Sequence, residues 1–100
     1  MFIHSVYFWL KADLGDEARG RFLESLHSLN GDGNVRSGYA GAPADTGGRD
    51  VVDDSYSYGL VLVFEDRAGH DSYQTGAVHR RFLDAHRTDW ERILVYDFED

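Results

Sequence analysis

Four residues of this 100-residue chain have types that could together move a proton: His4, Tyr73, His79 and Asp97. His4 is the one discordant residue among Phe2, Val6 and Phe8 on the even side of the opening run. Tyr73 and His79 flank Gly76, where a turn and a restart of a helix can bring both side chains over a sheet. Asp97 lies in the closing apolar run Ile93 to Phe98. A carboxylate beside one imidazole nitrogen fixes the tautomer and raises basicity, leaving the second nitrogen to take a proton from a ligand. A tyrosine hydroxyl in reach can hydrogen-bond a carbonyl oxygen as it gains charge. The set suits proton abstraction next to a carbonyl, with His79 as base and no metal or organic cofactor. Val6, Phe8, Phe22, Leu26, Phe82 and Trp90 are the expected apolar walls of such a ligand pocket, Trp90 also reading as core packing at the end of the last helix. The plainer reading of His4 is a core histidine satisfied by a backbone carbonyl or hydroxyl.

Other groups point to less. His27, His70 and His86 fall on or near polar helix faces, where a solvated imidazole is expected. No pair of histidines has metal-ligand spacing with a third partner, so no metal is expected. Asp45, Asp50, Asp53 and Asp54 lack the spaced glycine and terminal glutamate of a calcium loop and read as a solvated acidic stretch. Gly47-Gly48 has neither the strand-to-helix setting nor the lysine of a phosphate cradle. Arg80 and Arg81 project into water. The absence of cysteine excludes disulfides, thiolate zinc sites and a cysteine nucleophile. Eighteen acidic residues against ten basic ones give a net charge of -8, which repels phosphate backbones and anionic headgroups. Neither nucleic acid nor a membrane is an expected partner. No apolar run is long enough to cross a bilayer, and Met1 leads straight into strand-like residues without a basic leader, so the expected location is cytoplasmic.

The elements that must position the four residues follow from periodicity. Phe2 to Leu10 is a strand with both alternating sets largely apolar, which asks for cover on both faces. Ala18, Phe22, Leu23, Leu26 and Leu29 recur at helical spacing, predicting a helix from about Asp16 to Leu29, capped by Asp13 or Asp16 and ended by Asn30-Gly31-Asp32-Gly33. Val35 to Ala40 is a weaker strand. The stretch from Gly41 to Ser55 is a loop, long enough to act as a lid. Ser57 to Glu65 is the strongest strand and is expected near the centre of the sheet. Arg67 to Tyr73 reads as a short helix, and a longer one follows Gly76, its pattern running to about Trp90. Ile93 to Phe98 closes the chain. The order β, α, β, β, α, β is the split βαβ arrangement of a ferredoxin-like α+β fold in a single domain. Its antiparallel sheet carries helices on one face only. With the even residues under the helices, Ile3, Tyr7 and Trp9 lie on the bare face, and sheet-to-sheet homodimerisation about a twofold axis is expected.

As a set, His4-Ser5-Val6-Tyr7-Phe8-Trp9-Leu10, Phe64-Glu65-Asp66, Tyr73 before Val78-His79-Arg80-Arg81-Phe82, and Val95-Tyr96-Asp97-Phe98 resemble the stress-responsive A/B barrel family, over nearly the whole chain. The resemblance implies ferredoxin-like protomers whose sheets pair into a dimeric α+β barrel. One plant branch of that family, of the olivetolic acid cyclase type, folds a linear polyketide between sheet and helices. Similarity to it implies His79 as base, Tyr73 and His4 nearby, and Asp97 as the carboxylate near the base. The chain departs from that branch at Leu26, where the cyclase has a tyrosine, and at Gly76-Ala77-Val78, where the family commonly shows a His-Pro pair. Two other functions accompany the small-ligand reading: a noncatalytic stress or scaffold protein, and a cofactor-free monooxygenase of a related barrel type.

Overall fold

A computed structural model describes all residues, Met1–Asp100. Four strands, β1 (Phe2–Leu10), β2 (Val35–Gly41), β3 (Tyr58–Phe64) and β4 (Trp90–Glu99), form one sheet in the order β2-β3-β1-β4, every neighbouring pair antiparallel. Three α-helices cover one face: α1 (Asp16–Ser28), α2 (Arg67–Gln74) and α3 (Ala77–His86). A single 3-10 turn, Leu29–Gly31, extends α1. This is the ferredoxin-like α+β fold that the periodicities predict, with the strongest strand, β3, inside the sheet.

β1 lies between β3 and β4, and its even residues Phe2, His4, Val6, Phe8 and Leu10 are all buried under the helices. They meet Phe22 and Leu26 of α1, Leu60, Leu62 and Phe64 of β3, Tyr73 of α2 and Phe82 of α3 in one core. Burying apolar area from both layers is what holds sheet and helices together, at about 25 cal/mol per Å² removed from water.

Helix ends differ from the expectation in two places. α1 has Gly15 at its N-cap with no side-chain cap bond; Asp16 and Glu17 instead sit in the first turn, where carboxylates oppose the positive end of the helix dipole. α3 ends at His86, and Trp90 opens β4 rather than closing the helix. The spacing of four from His86 to Trp90 mimics one more helical turn, but the chain reverses between them, with Asp89 N–H donating to the His86 carbonyl at 2.8 Å. α2 begins at Asp66, whose carboxylate accepts from Gly69 N–H at 2.9 Å, and Gly76 separates α2 from α3. A side chain at Gly38 on β2 would force its neighbours to move: a Cβ there would lie 2.3 Å from Asn30 Oδ1 and 2.6 Å from Leu62 Cδ2.

The other sheet face carries no helix. Ile3, Ser5, Tyr7 and Trp9 of β1 lie there; Ile3 is in register with Val63 of β3 and Phe98 of β4, Ser5 with Val61 and Tyr96, Tyr7 with Leu94, and Trp9 with Arg92. Tyr96 is 60% exposed and Phe98 57%. The long β2–β3 loop, with left-handed Gly47 and Gly48, ends against this face and not over the helix side. The Tyr56 ring packs 5.0 Å from Tyr7 and 6.4 Å from Trp9, and Trp9 Nε1 donates to Ser55 Oγ at 3.1 Å. A lid over the helix-side pocket is therefore not what this loop forms. No helix is long and apolar enough to cross a membrane.

Candidate functional site

The register of β1 with β4 places His4 directly opposite Asp97 on the helix-covered face. His4 is 5% exposed, and its Nδ1 lies 2.6 Å from Asp97 Oδ1. A carboxylate only accepts, so Nδ1 carries the proton. Burial lowers the His4 pKa below its ordinary value, against the opposing hydrogen bond and charge of Asp97, and the nearby His70 adds to the lowering. The imidazole is thus neutral at neutral pH. Asp97 stands on the edge strand with its side chain 36% exposed.

Tyr73 is 1% exposed in the last turn of α2. Burial, and then the charge of Asp32, push its hydroxyl pKa upward, so it remains a phenol and a donor. His79 occupies the first turn of α3, with its ring centroid 4.9 Å from that of Tyr73. The restart at Gly76 is what turns the two rings toward each other. His79 Nδ1 donates to the Gln74 carbonyl at 3.0 Å, which makes Nε2 the proton-accepting nitrogen. Burial lowers the His79 pKa, outweighing that hydrogen bond. Asp97 therefore serves His4, and the base position at His79 is oriented by a backbone carbonyl; the carboxylate beside the base that the resemblance implied is not there.

His4, Tyr73 and His79 line one cavity of about 140 Å³, whereas Asp97, expected with them at its polar end, stands outside it and lines a neighbouring cleft. Ten of the cavity's thirteen lining residues are hydrophobic, which makes it an apolar slot with one polar end. Of the expected walls, Val6, Phe8, Phe82 and Trp90 line it. Phe22 and Leu26 are 0% exposed and belong to the core without lining the cavity. Ile93 and Val95 also line the cavity, yet stay 43% and 44% exposed, which locates its mouth along the edge strand β4.

Two histidines assigned to water from the sequence are not there. His86 is 9% exposed, with Nε2 2.7 Å from Ser25 Oγ and Nδ1 2.8 Å from Asp89 Oδ2, tying α3 to α1. His70 has its side chain 12% exposed, its ring stacked 4.3 Å from that of Phe2 and tilted against that of His4 at 4.8 Å. The available signal was its spacing of three from Tyr73, which puts both on one face of α2. His27 is exposed as expected.

The lowered values of His4 and His79 set a pH dependence. An unfolded histidine takes its proton near 6.5, while these two resist protonation in the fold until lower pH. Between those values the unfolded state binds more protons, so stability rises with pH there. Their contribution is undiminished above about 6.5 and is lost as pH falls through that value toward the lowered ones. Urea midpoints measured from pH 8 to pH 5.5 should fall on acidification, and less so in His79→Gln. A flat profile would show that both rings are protonated at no penalty.

The fold recurs in solved structures. A dimeric ferredoxin-like protein of unknown function from Thermobifida fusca matches with a TM-score of 0.81 at 15% identity, over 99% of this chain and 90% of that one. A Dabb family protein with a ferredoxin-like fold from Mesorhizobium loti matches with a TM-score of 0.79 at 22% identity, over 99% and 95%. The hydroxynitrile lyase of Passiflora edulis matches with a TM-score of 0.82 at 15% identity, over 97% and 90%. At these identities the likeness concerns the fold alone. No curated protein matches the sequence. The family model of the Stress responsive A/B Barrel Domain, however, matches residues 2–100, and with the βαββαβ sheet order described above the chain belongs to that family.

Proposed function

We propose that the protein is a cytoplasmic homodimer that holds a small, partly apolar carbonyl compound between sheet and helices, and that His79 removes a proton beside the carbonyl. One observation carries this reading. At the same end of an apolar cavity, burial keeps the Tyr73 hydroxyl protonated and the His79 imidazole unprotonated, which gives a donor and a base 4.9 Å apart between ring centroids. A ligand C–H gives its proton to His79 Nε2 while Tyr73 donates to the oxygen that gains charge, and the resulting enolate can attack a second carbonyl within the same molecule. His4, held by Asp97, offers its remaining nitrogen at the same polar end. The apolar walls exclude water and strengthen each of these contacts.

The test uses a simple aryl methyl ketone, acetophenone, in deuterated water, with exchange of its methyl protons followed by NMR. His79→Ala should slow enzyme-dependent exchange by about 10² to 10⁴-fold while leaving the thermal midpoint near the native value. Tyr73→Phe should reduce it less. Exchange that survives His79→Ala unchanged removes the base assignment.

A noncatalytic role has one observation in its favour: the buried polar side chains are all satisfied, with His4 joined to Asp97 and His79 to a backbone carbonyl. Under that reading His79→Ala alters stability only, and acetophenone shows no protein-dependent exchange. The homodimer itself is supported by the helix-free apolar face and by the dimeric relatives of the same fold.

A further inference from the structure

His4, His70 and Asp97 come from three different elements, β1, α2 and β4, and one potential ligand atom from each lies within 4.8 Å of the other two. We propose that these three side chains bind one divalent transition-metal ion of the zinc, cobalt or nickel class per protomer. The inference stands on donor geometry and needs no step of the pocket chemistry.

Two imidazoles and one carboxylate suit borderline ions such as zinc, whereas magnesium and calcium call for oxygen donors throughout. Around a tetrahedral ion with bonds of about 2.0–2.1 Å the donor atoms stand about 3.3 Å apart. The observed spread of up to 4.8 Å must close by about 1.5 Å to reach that distance. The 2.6 Å contact between His4 Nδ1 and Asp97 Oδ1 opens slightly, the Nδ1 proton passes to Nε2 as the ring changes tautomer, and an ion inserted there exchanges one hydrogen bond for two coordinate bonds.

The surroundings favour a cation. His70 Nδ1 lies 3.1 Å from Asp71 Oδ1, the carboxylate–histidine arrangement that orients a metal-binding imidazole and raises the basicity of its other nitrogen. That other nitrogen, Nε2, is 3.0 Å from the Gln74 side-chain amide, which must turn aside for the ion. Approach is open, because His70 and Asp97 both line a solvent cleft that also bears Asp71, Glu99 and Arg67. Three carboxylates against one guanidinium give that cleft a negative balance, which draws divalent ions. Three protein donors leave one tetrahedral position for water or another small ligand, so this is an open site and not a closed structural one.

Tag-free protein, stripped with a chelator and dialysed, is titrated with zinc chloride by calorimetry and separately with cobalt chloride by visible absorption. One zinc ion per protomer is expected, with cobalt giving the intense bands of a low-coordinate site that zinc abolishes. His70→Gln and Asp97→Asn should each weaken zinc at least tenfold, while His27→Ala and His79→Ala leave it unchanged. Circular dichroism of each variant separates loss of ligand from loss of fold, and His70→Asn serves if His70→Gln is unstable. Zinc affinity that is the same in folded His70 and Asp97 variants overturns the site, as does an absence of binding at millimolar zinc. Because His79→Ala is silent here but decisive for acetophenone exchange, failure of either reading is seen without the other.

Discussion

Tyr96→Lys is expected to turn the dimer into a folded monomer, weakening self-association at least a thousandfold. Tyr96 lies on the helix-free face, 60% exposed in the protomer, opposite Ser5 and 6.4 Å from the Tyr7 ring. Its neighbours on that face are Leu94 and Phe98 of β4 and Val61 across the sheet, so in the proposed dimer a partner sheet covers it with apolar groups. A twofold axis doubles every substitution, and two ammonium groups would have to leave water among mostly apolar side chains. Loss of about 4 kcal/mol corresponds to the stated factor, since 1.4 kcal/mol is tenfold. Inside the protomer Tyr96 contributes little, so helix and sheet content should persist. Sedimentation velocity of native and variant protein at micromolar concentration checks the result. A native chain that already sediments as a monomer would remove the paired-sheet reading outright.

Phe22→Ala is the substitution with the largest expected effect on folding, about 3–5 kcal/mol. The ring is 0% exposed and lies among five others: Phe8 at 5.1 Å, His86 at 5.2 Å, Phe82 at 5.6 Å, and Tyr58 and Trp90 at 6.1 Å between centroids. These belong to β1, β3, α3 and β4, so no single element can shift to refill the space. A loss of that size approaches the whole stability of a small domain, about 5–15 kcal/mol. Urea unfolding monitored by tryptophan fluorescence gives the difference directly. A loss below about 1 kcal/mol would mean that the core collapses around the gap, and Phe22 would not be its keystone. Since Phe8, Phe82 and Trp90 are also cavity walls, the variant should lose ligand capacity together with stability.

What could be read from the residues was whatever depends on neighbours in the chain. The period of two in β1 separated its two faces, both of them apolar, and the helical spacing of Phe22 and Leu26 marked α1. Gly76 marked the break that brings Tyr73 and His79 together. What escaped depends on partners far away in sequence. Asp97 was assigned to the polar group, but its place beside His4 is decided by the β1–β4 register, which no local pattern contains. His70 and His86 looked solvated because their helices carry many polar residues. One is drawn in by Phe2 and His4, the other by Ser25 and Asp89. Trp90 misled for the opposite reason, since its spacing from His86 is helical while its strand pairing with Leu10 is not local at all.

The alternation along β1 has a consequence for divergence. On the proposed function its even side chains shape what the molecule can carry, while Ile3, Tyr7 and Trp9 on the reverse shape which copy it can mate with, and the opening at β4 leads away from that reverse side. Duplicated genes could therefore drift apart in cargo while still forming mixed pairs. They could equally become mutually exclusive partners while keeping the same cargo, each by changes confined to every second residue of one strand.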